Sequence, residues 1–192
     1  MARSCWRRDR HGKQLPRAFT IHWDDPGALA EAGQTMSERD FLDAILRGEL
    51  PHPPACQLVD LTFNRIDDGQ VEMLLKPDEA QYNPIGSVHG GIIATALDSV
   101  VGCGVHSKLQ VGQAHTTLEI KVNYLRGVTR EIGPMRARVM NFGRRTAMAE
   151  GSLSDVSGKL FAQASTTGLI LDVPVQAVPR AEVDHAYEID DE

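Results

Sequence analysis

The sequence predicts an α+β domain in which one long buried helix is set against a series of antiparallel strands. Three observations carry this. Positions 82–104 read YNPIGSVHGGIIATALDSVVGCG, and Ile92, Ile93, Ala96, Leu97, Val100 and Val101 recur at intervals of three and four, the spacing of a helix with a buried face. On both sides of this stretch apolar residues alternate with polar ones between turn signals, the pattern of strands joined in hairpins. No internal repeat occurs, and a single strong helix argues against a βαβ array.

Taken in order, residues 1–35 form an N-terminal extension, largely disordered because its start has no periodicity, with one short helix. Its Arg-rich beginning reads as a disordered arm or an overlong gene start. Asp25 is a cap and Pro26 a first helical residue, so a helix to about Gln34 fits. Residues 36–171 hold the main domain. Ser37 and Asp40 make a capping-box-like pair before the stripe Phe41, Leu42, Ile45 and Leu46; Gly48 ends that helix. The PHPP run at 51–54 is a stiff extended linker. Strand signals begin near Cys56: Leu58, Leu61 and Phe63 lead to a turn at Asp67-Asp68-Gly69, and Val71, Met73 and Leu75 return. After the central helix, which fades beyond His106, Leu118, Ile120, Val122 and Tyr124 alternate with Thr117, Glu119, Lys121 and Asn123. Two more turns, at Asn141-Phe142-Gly143 and Ser157-Gly158, separate three further strands. Residues 172–192 are acidic, proline-containing and expected to be disordered.

A chain of 192 residues with 42% hydrophobic content can bury one good core. Its net charge of −6 argues against a nucleic-acid partner. No apolar run approaches a membrane span. The three cysteines, Cys5, Cys56 and Cys103, have neither the spacing of a metal site nor an even count for a disulfide framework, which points to a cytoplasmic location. No metal site is expected, since His106 and His115 have no carboxylates near them in sequence.

Within the helix the residue to explain is Asp98, a charge among Ala, Leu, Ser and Val that is costly to bury without a partner or a task. Gly90 and Gly91 open the helix, and Gly91 offers a bare amide at a helix N-terminus, a natural donor to a negatively charged oxygen. Asp98 follows Gly91 by seven positions, on nearly the same face and roughly 10 Å along the axis, too far for both to act on one carbonyl. Two copies of the helix paired antiparallel about a two-fold axis would bring the acid of one to the glycine of the other. Read separately, each residue has a plainer alternative: Asp98 a capped buried acid, His89 a structural hydrogen-bonder, Asn83 a turn residue.

Taken together, Asn83, His89-Gly90-Gly91 and Asp98 resemble the signature of PaaI-like hotdog-fold acyl-CoA thioesterases. The likeness extends from about Met36 to Leu171 through ELPHPP, GSVHGG, HTTLEIKVNYLR, GRRTAMAEGSL and GKLFAQASTTGLIL. It implies a hotdog fold, a long central helix wrapped by an antiparallel sheet, in homodimers or dimers of dimers with sites at the interface. It also implies hydrolysis of acyl-coenzyme A, with coenzyme A as part of the substrate and no separate cofactor. On that reading Gly91 polarises the carbonyl and Asp98 of the partner subunit is general base or nucleophile. Asn83 orients water or carbonyl, His89 holds the loop, and Thr117 places a hydroxyl near the reaction. Gly90 lets the substrate approach, and Arg126, Arg144 and Arg145 are candidate contacts for its phosphates. Two alternatives stay open: a hydratase-dehydratase of enoyl or 3-hydroxyacyl thioesters, and a non-catalytic acyl-CoA binding module.

Overall fold

One sheet of six antiparallel strands packs against a helix of 17 residues in the computed structural model, which describes residues 18–129 and 133–173. The disorder expected at the start of the chain falls largely on residues 1–17 and that of the acidic tail largely on residues from 174 onward, all outside the described residues. At 172–173 the expectation is corrected, since Asp172 ends the last strand and the Val173 amide donates to the Gly112 carbonyl at 2.8 Å. Among the described residues no helix is long and apolar enough to cross a membrane.

Helix α1 (Pro26–Thr35) starts as expected, with Asp25 Oδ1 accepting the Gly27 amide at 2.8 Å. In α2 (Glu38–Leu46) the Ser37 hydroxyl accepts the Asp40 amide and donates to the Asp40 carboxylate at 2.6 Å. Leu42 and Ile45 are buried and Phe41 packs against the core, while Leu46, the last of the stripe, is exposed. The strand expected from Cys56 is corrected: a short helix α3 (Pro54–Val59) lies there, ending in left-handed Asp60 at φ 54°. Pro54 at its first turn, where the missing N–H has no intrahelical partner, outweighs the apparent alternation of Cys56, Leu58 and Leu61. Strands β1 (Leu61–Asp67) and β2 (Gln70–Leu75) form the expected hairpin, with Gly69 at φ 70° in its turn.

Helix α4 (Gly90–His106) is followed by β3 (Gln113–Tyr124), β4 (Pro134–Phe142), β5 (Thr146–Ser154) and β6 (Leu160–Asp172). The strand order is β1-β2-β4-β5-β6-β3, which sends β3 to the far edge of the sheet. Ile93, Ala96, Leu97, Val100, Val101 and Val105 of α4 are buried in the core. Gly151 of β5 lets the helix come this close, since a Cβ there would lie 2.6 Å from Val101 Cγ1.

A bulge decides which residues of β3 face the helix. Its pairing with β6 runs Thr117 to Gly168 and then Glu119 to Thr167, leaving Leu118 unpaired. The extra residue changes the parity of the strand. Thr117 therefore turns inward with Ile120 and Val122, while Leu118 points outward at 58% exposure. The expected grouping of Leu118 with Ile120 and of Thr117 on the opposite side is corrected accordingly. The free side of β3, twelve residues long, has no strand partner among the described residues.

Candidate active site

The N-terminal end of α4 is held by side chains on both sides of it. His89 is the N-cap, and its Nδ1 accepts the Gly91 amide at 2.9 Å. A ring nitrogen used as acceptor carries no proton, so in neutral His89 the proton sits on Nε2. The Gly91 amide is therefore engaged, and the expectation of a bare donor at that position is corrected. The Gly90 amide, by contrast, has no acceptor among the described residues. The two glycines also differ in surroundings. A Cβ on Gly90 would lie 3.3 Å from the Tyr124 ring, whereas one on Gly91 would meet only the His89 ring, at 3.1 Å.

Beside this helix end lies a groove of about 300 Å³ lined by Asn83, Ser87, Gly90, Ile93, Tyr124 and Arg126, among others. Asn83 holds its loop: Oδ1 accepts the Ile85 amide at 3.1 Å and the Ser87 amide at 3.2 Å, and Nδ2 donates to Ser87 Oγ at 3.0 Å. Turn residue and groove residue are thus the same side chain. Val88 donates to the Val128 carbonyl at 2.9 Å, tying the loop to the chain that leaves β3. Arg126 forms the groove's basic margin, with its Nη1 donating to the Leu160 carbonyl.

Asp98 lies eight residues from Gly90, roughly 12 Å along the axis. It is half-buried, and the Thr117 hydroxyl donates to its Oδ1 at 3.0 Å. Oδ2 accepts no hydrogen bond among the described residues. So the sequence-predicted pair Asp98 and Thr117 is brought together, and so are Asn83, His89, Gly90 and Arg126. The two groups stand apart from each other. Between Thr117 and Tyr124 the strand runs roughly 20 Å.

Arg144 and Arg145 are exposed in the β4–β5 turn. The next residue, Thr146, pairs with Leu169, and Leu169 pairs with Thr116. These arginines therefore belong to the Asp98–Thr117 end of the sheet, while Arg126 belongs to the Asn83 end. Within one chain the three do not converge.

Around Asp98 the other polar groups are quiet chemically. Burial pushes the Cys56 thiol up to about 11, although a hydrogen bond with Ser99 opposes it. Burial also raises Cys103, with the neighbouring Cys56 and Asp98 adding to the effect. Both thiols stay protonated near neutral pH and are poor nucleophiles. His115 sits on the inner face of β3 between Gly102 and Gly168, where an added Cβ would lie 3.2 Å and 3.0 Å from its ring. Burial lowers its pKa, the nearby His106 lowers it further, and Asp98 opposes the shift.

Two residues that sequence reasoning did not single out shape this region. Tyr124 Oη donates to the Gly90 carbonyl at 2.8 Å. Glu38, 4% exposed, places its carboxylate against His106 Nε2 at the C-terminal end of α4. The parity of Tyr124 with Ile120 and Val122 marked the first as inward. Nothing local to α2 marked the second.

Comparison with known proteins gives a coherent picture. The model of the thioesterase superfamily matches residues 85–162. A phenylacetic acid degradation-related protein of Ralstonia eutropha JMP134 is 31% identical over 66% of this chain and 97% of its own, with a TM-score of 0.60. The PaaI protein of E. coli, from the phenylacetic acid degradation operon, shares the fold at 16% identity over 71% and 96% of the two chains, with a TM-score of 0.61. A hypothetical thioesterase of Streptococcus pneumoniae, solved with coenzyme A, shares it at 23% identity over 59% and 87%, with a TM-score of 0.54. No curated protein matches the sequence.

Proposed function

The chain belongs to the PaaI-like hotdog thioesterases, and from that premise we propose that it hydrolyses acyl-coenzyme A thioesters at sites shared between two subunits. Thioester hydrolysis comes with the family. The acyl-coenzyme A substrate, the shared site and the residue roles are the proposal.

One observation carries it: the unpartnered amide and the partly exposed acid lie on the same helix but roughly 12 Å apart. Residue 94 is midway between Gly90 and Asp98, and the midpoint of Thr117 and Tyr124 falls between Ile120 and Lys121. A two-fold axis passing both midpoints pairs β3 with a second β3 and moves the partner subunit's Asp98 and Thr117 opposite Gly90 and Tyr124. The long edge of β3 is a ready template for such pairing. The same operation carries the partner subunit's Arg144 and Arg145 toward the end of the sheet that holds Arg126. Three guanidinium groups from two chains then serve the phosphates of one coenzyme A. The pneumococcal protein of the same fold was solved with coenzyme A, which supports that choice of substrate.

In the reaction, the Gly90 amide, at the positive end of α4, receives the thioester carbonyl oxygen as negative charge develops on it. This replaces Gly91, whose amide is spent on His89. The partner subunit's Asp98 takes a proton from water through Oδ2, while the partner subunit's Thr117 holds Oδ1 in place. The water oxygen bonds to the carbonyl carbon, the carbon–sulfur bond breaks, and the departing sulfur takes the proton from Asp98. Free acid and coenzyme A thiol result, and no separate cofactor enters. Asn83 orients the carbonyl or the water, and His89 fixes the helix start. Direct attack on the carbonyl carbon by the same free Oδ2, which would form a mixed anhydride, is the alternative role of Asp98.

The test is release of free thiol from short, medium, long and aryl acyl-coenzyme A. Wild-type turnover that disappears in Asp98→Asn, with fold and assembly intact, is expected. An unimpaired variant would remove Asp98 from the reaction. Turnover of an enoyl thioester, followed by its absorbance, would instead point to the hydratase-dehydratase alternative.

A further inference from the structure

The peptide unit joining Gly90 to Gly91 is held at both of its polar atoms by side chains. Tyr124 Oη donates to its carbonyl oxygen at 2.8 Å, and His89 Nδ1 accepts from its N–H at 2.9 Å. Two adjacent glycines are the least constrained residues with which a helix can begin. The Gly90 N–H belongs to the peptide before it, whose carbonyl accepts the Ile92 and Ile93 amides at 3.0 and 3.3 Å, so the freedom left is rotation about Gly90 itself. A fixed neighbouring peptide removes that freedom.

From this geometry we infer that Tyr124 is a positioning residue, whose hydroxyl locks the Gly90–Gly91 peptide so that the Gly90 amide stays aimed into the groove. The inference rests on the proposed role of that amide. Three further features support it. The Tyr124 ring packs directly on Gly90, close enough that a Cβ there would be 3.3 Å away. Tyr124 itself lines the groove with Asn83, Ser87 and Arg126. Tyr124 also lies seven positions after Thr117, an odd separation that puts two residues of a regular strand on opposite faces. The unpaired Leu118 cancels the mismatch, so one strand turns both residues toward α4, one to the acid and one to the Gly90 carbonyl.

Catalysis needs donors fixed where charge develops, and a donor that wanders loses most of its effect. The hydroxyl does not touch the reacting atoms in this scheme; it acts through Gly90. Removing it leaves the groove wall, formed by the ring, in place.

The experiment compares wild type with Tyr124→Phe in two measurements. The first is steady-state hydrolysis of an acyl-coenzyme A that the wild type turns over: kcat falls about tenfold while KM stays within about twofold, because donor alignment matters most in the transition state. The second is hydrogen exchange of the Gly91 amide in unliganded protein, which does not depend on activity: it speeds up severalfold in the variant. A kcat equal to that of wild type, or an unchanged Gly91 exchange rate, overturns the inference. Failure of the reaction scheme itself reads differently: Asp98→Asn would then be as active as wild type, or no thioester would be hydrolysed.

Discussion

Two acids meet the central helix, and they are handled in opposite ways. Glu38 is buried at the C-terminal end of α4 against His106, with the Phe41 ring 5.8 Å from that imidazole. Asp98, mid-helix, is half-buried, with one carboxylate oxygen held by Thr117 and the other without a partner. A buried acid enclosed by a single partner serves the fold, linking the N-terminal helices to the core. An acid held on one side and open on the other is equipped to act on something that is not part of its own chain. Burial alone would have chosen the wrong one.

Substitutions sharpen this contrast. Asp98→Asn should lower kcat by about 10²–10⁴-fold, the range for a lost general base, with little change in thermal stability. Gly90→Ala should lower kcat/KM by about tenfold or more, since its Cβ enters the groove against Tyr124, while Gly91→Ala should do less; equal effects would argue against Gly90 as the donor. Glu38→Gln should show the opposite profile, destabilising the fold by about 2 kcal/mol in chemical denaturation while kcat moves less than twofold. Thr117→Val, which frees Oδ1 of Asp98, should reduce kcat by about fivefold, the scale of one lost hydrogen bond.

The smallest effect concerns pH. His115 has a pKa lowered by burial, so the folded protein resists its protonation while the unfolded chain does not. Its contribution to stability is complete above the ordinary histidine value of about 6.5 and is lost as pH falls through the lower folded value. His115→Gln should therefore flatten the acid side of the stability profile measured by thermal melts. A profile as steep as wild type would assign that loss to other groups.

Much of this molecule was legible in advance because its signals are periodic. The helix over Gly90–His106, the hairpin at Gly69 and the later strands all follow from spacing and turn residues. What escaped depends on single residues or on distant parts of the chain. The bulge at Leu118 is one residue without a local signature, yet it decides that Thr117 faces Asp98. Which of the two glycine amides is left without an acceptor depends on which way the His89 ring turns. Helix α3 is too short for periodicity to separate it from a strand, and only Pro54 hinted at it. The partnership of Glu38 with His106 joins residues far apart in sequence, as does that of Tyr124 with Gly90. Within one chain, Arg126 lies at the opposite end of the sheet from Arg144 and Arg145, because strand order is not written in any one segment.

The central claim is that each working site takes its amide from one subunit and its acid from the other. Mixing two inactive variants, Asp98→Asn and Gly90→Val, under conditions that exchange subunits tests it most directly. A mixed dimer then contains one site with an intact Gly90 and an intact Asp98, and random exchange should restore about a quarter of wild-type turnover. A mixture no more active than either variant alone would show that amide and acid work within a single chain, and would contradict the account.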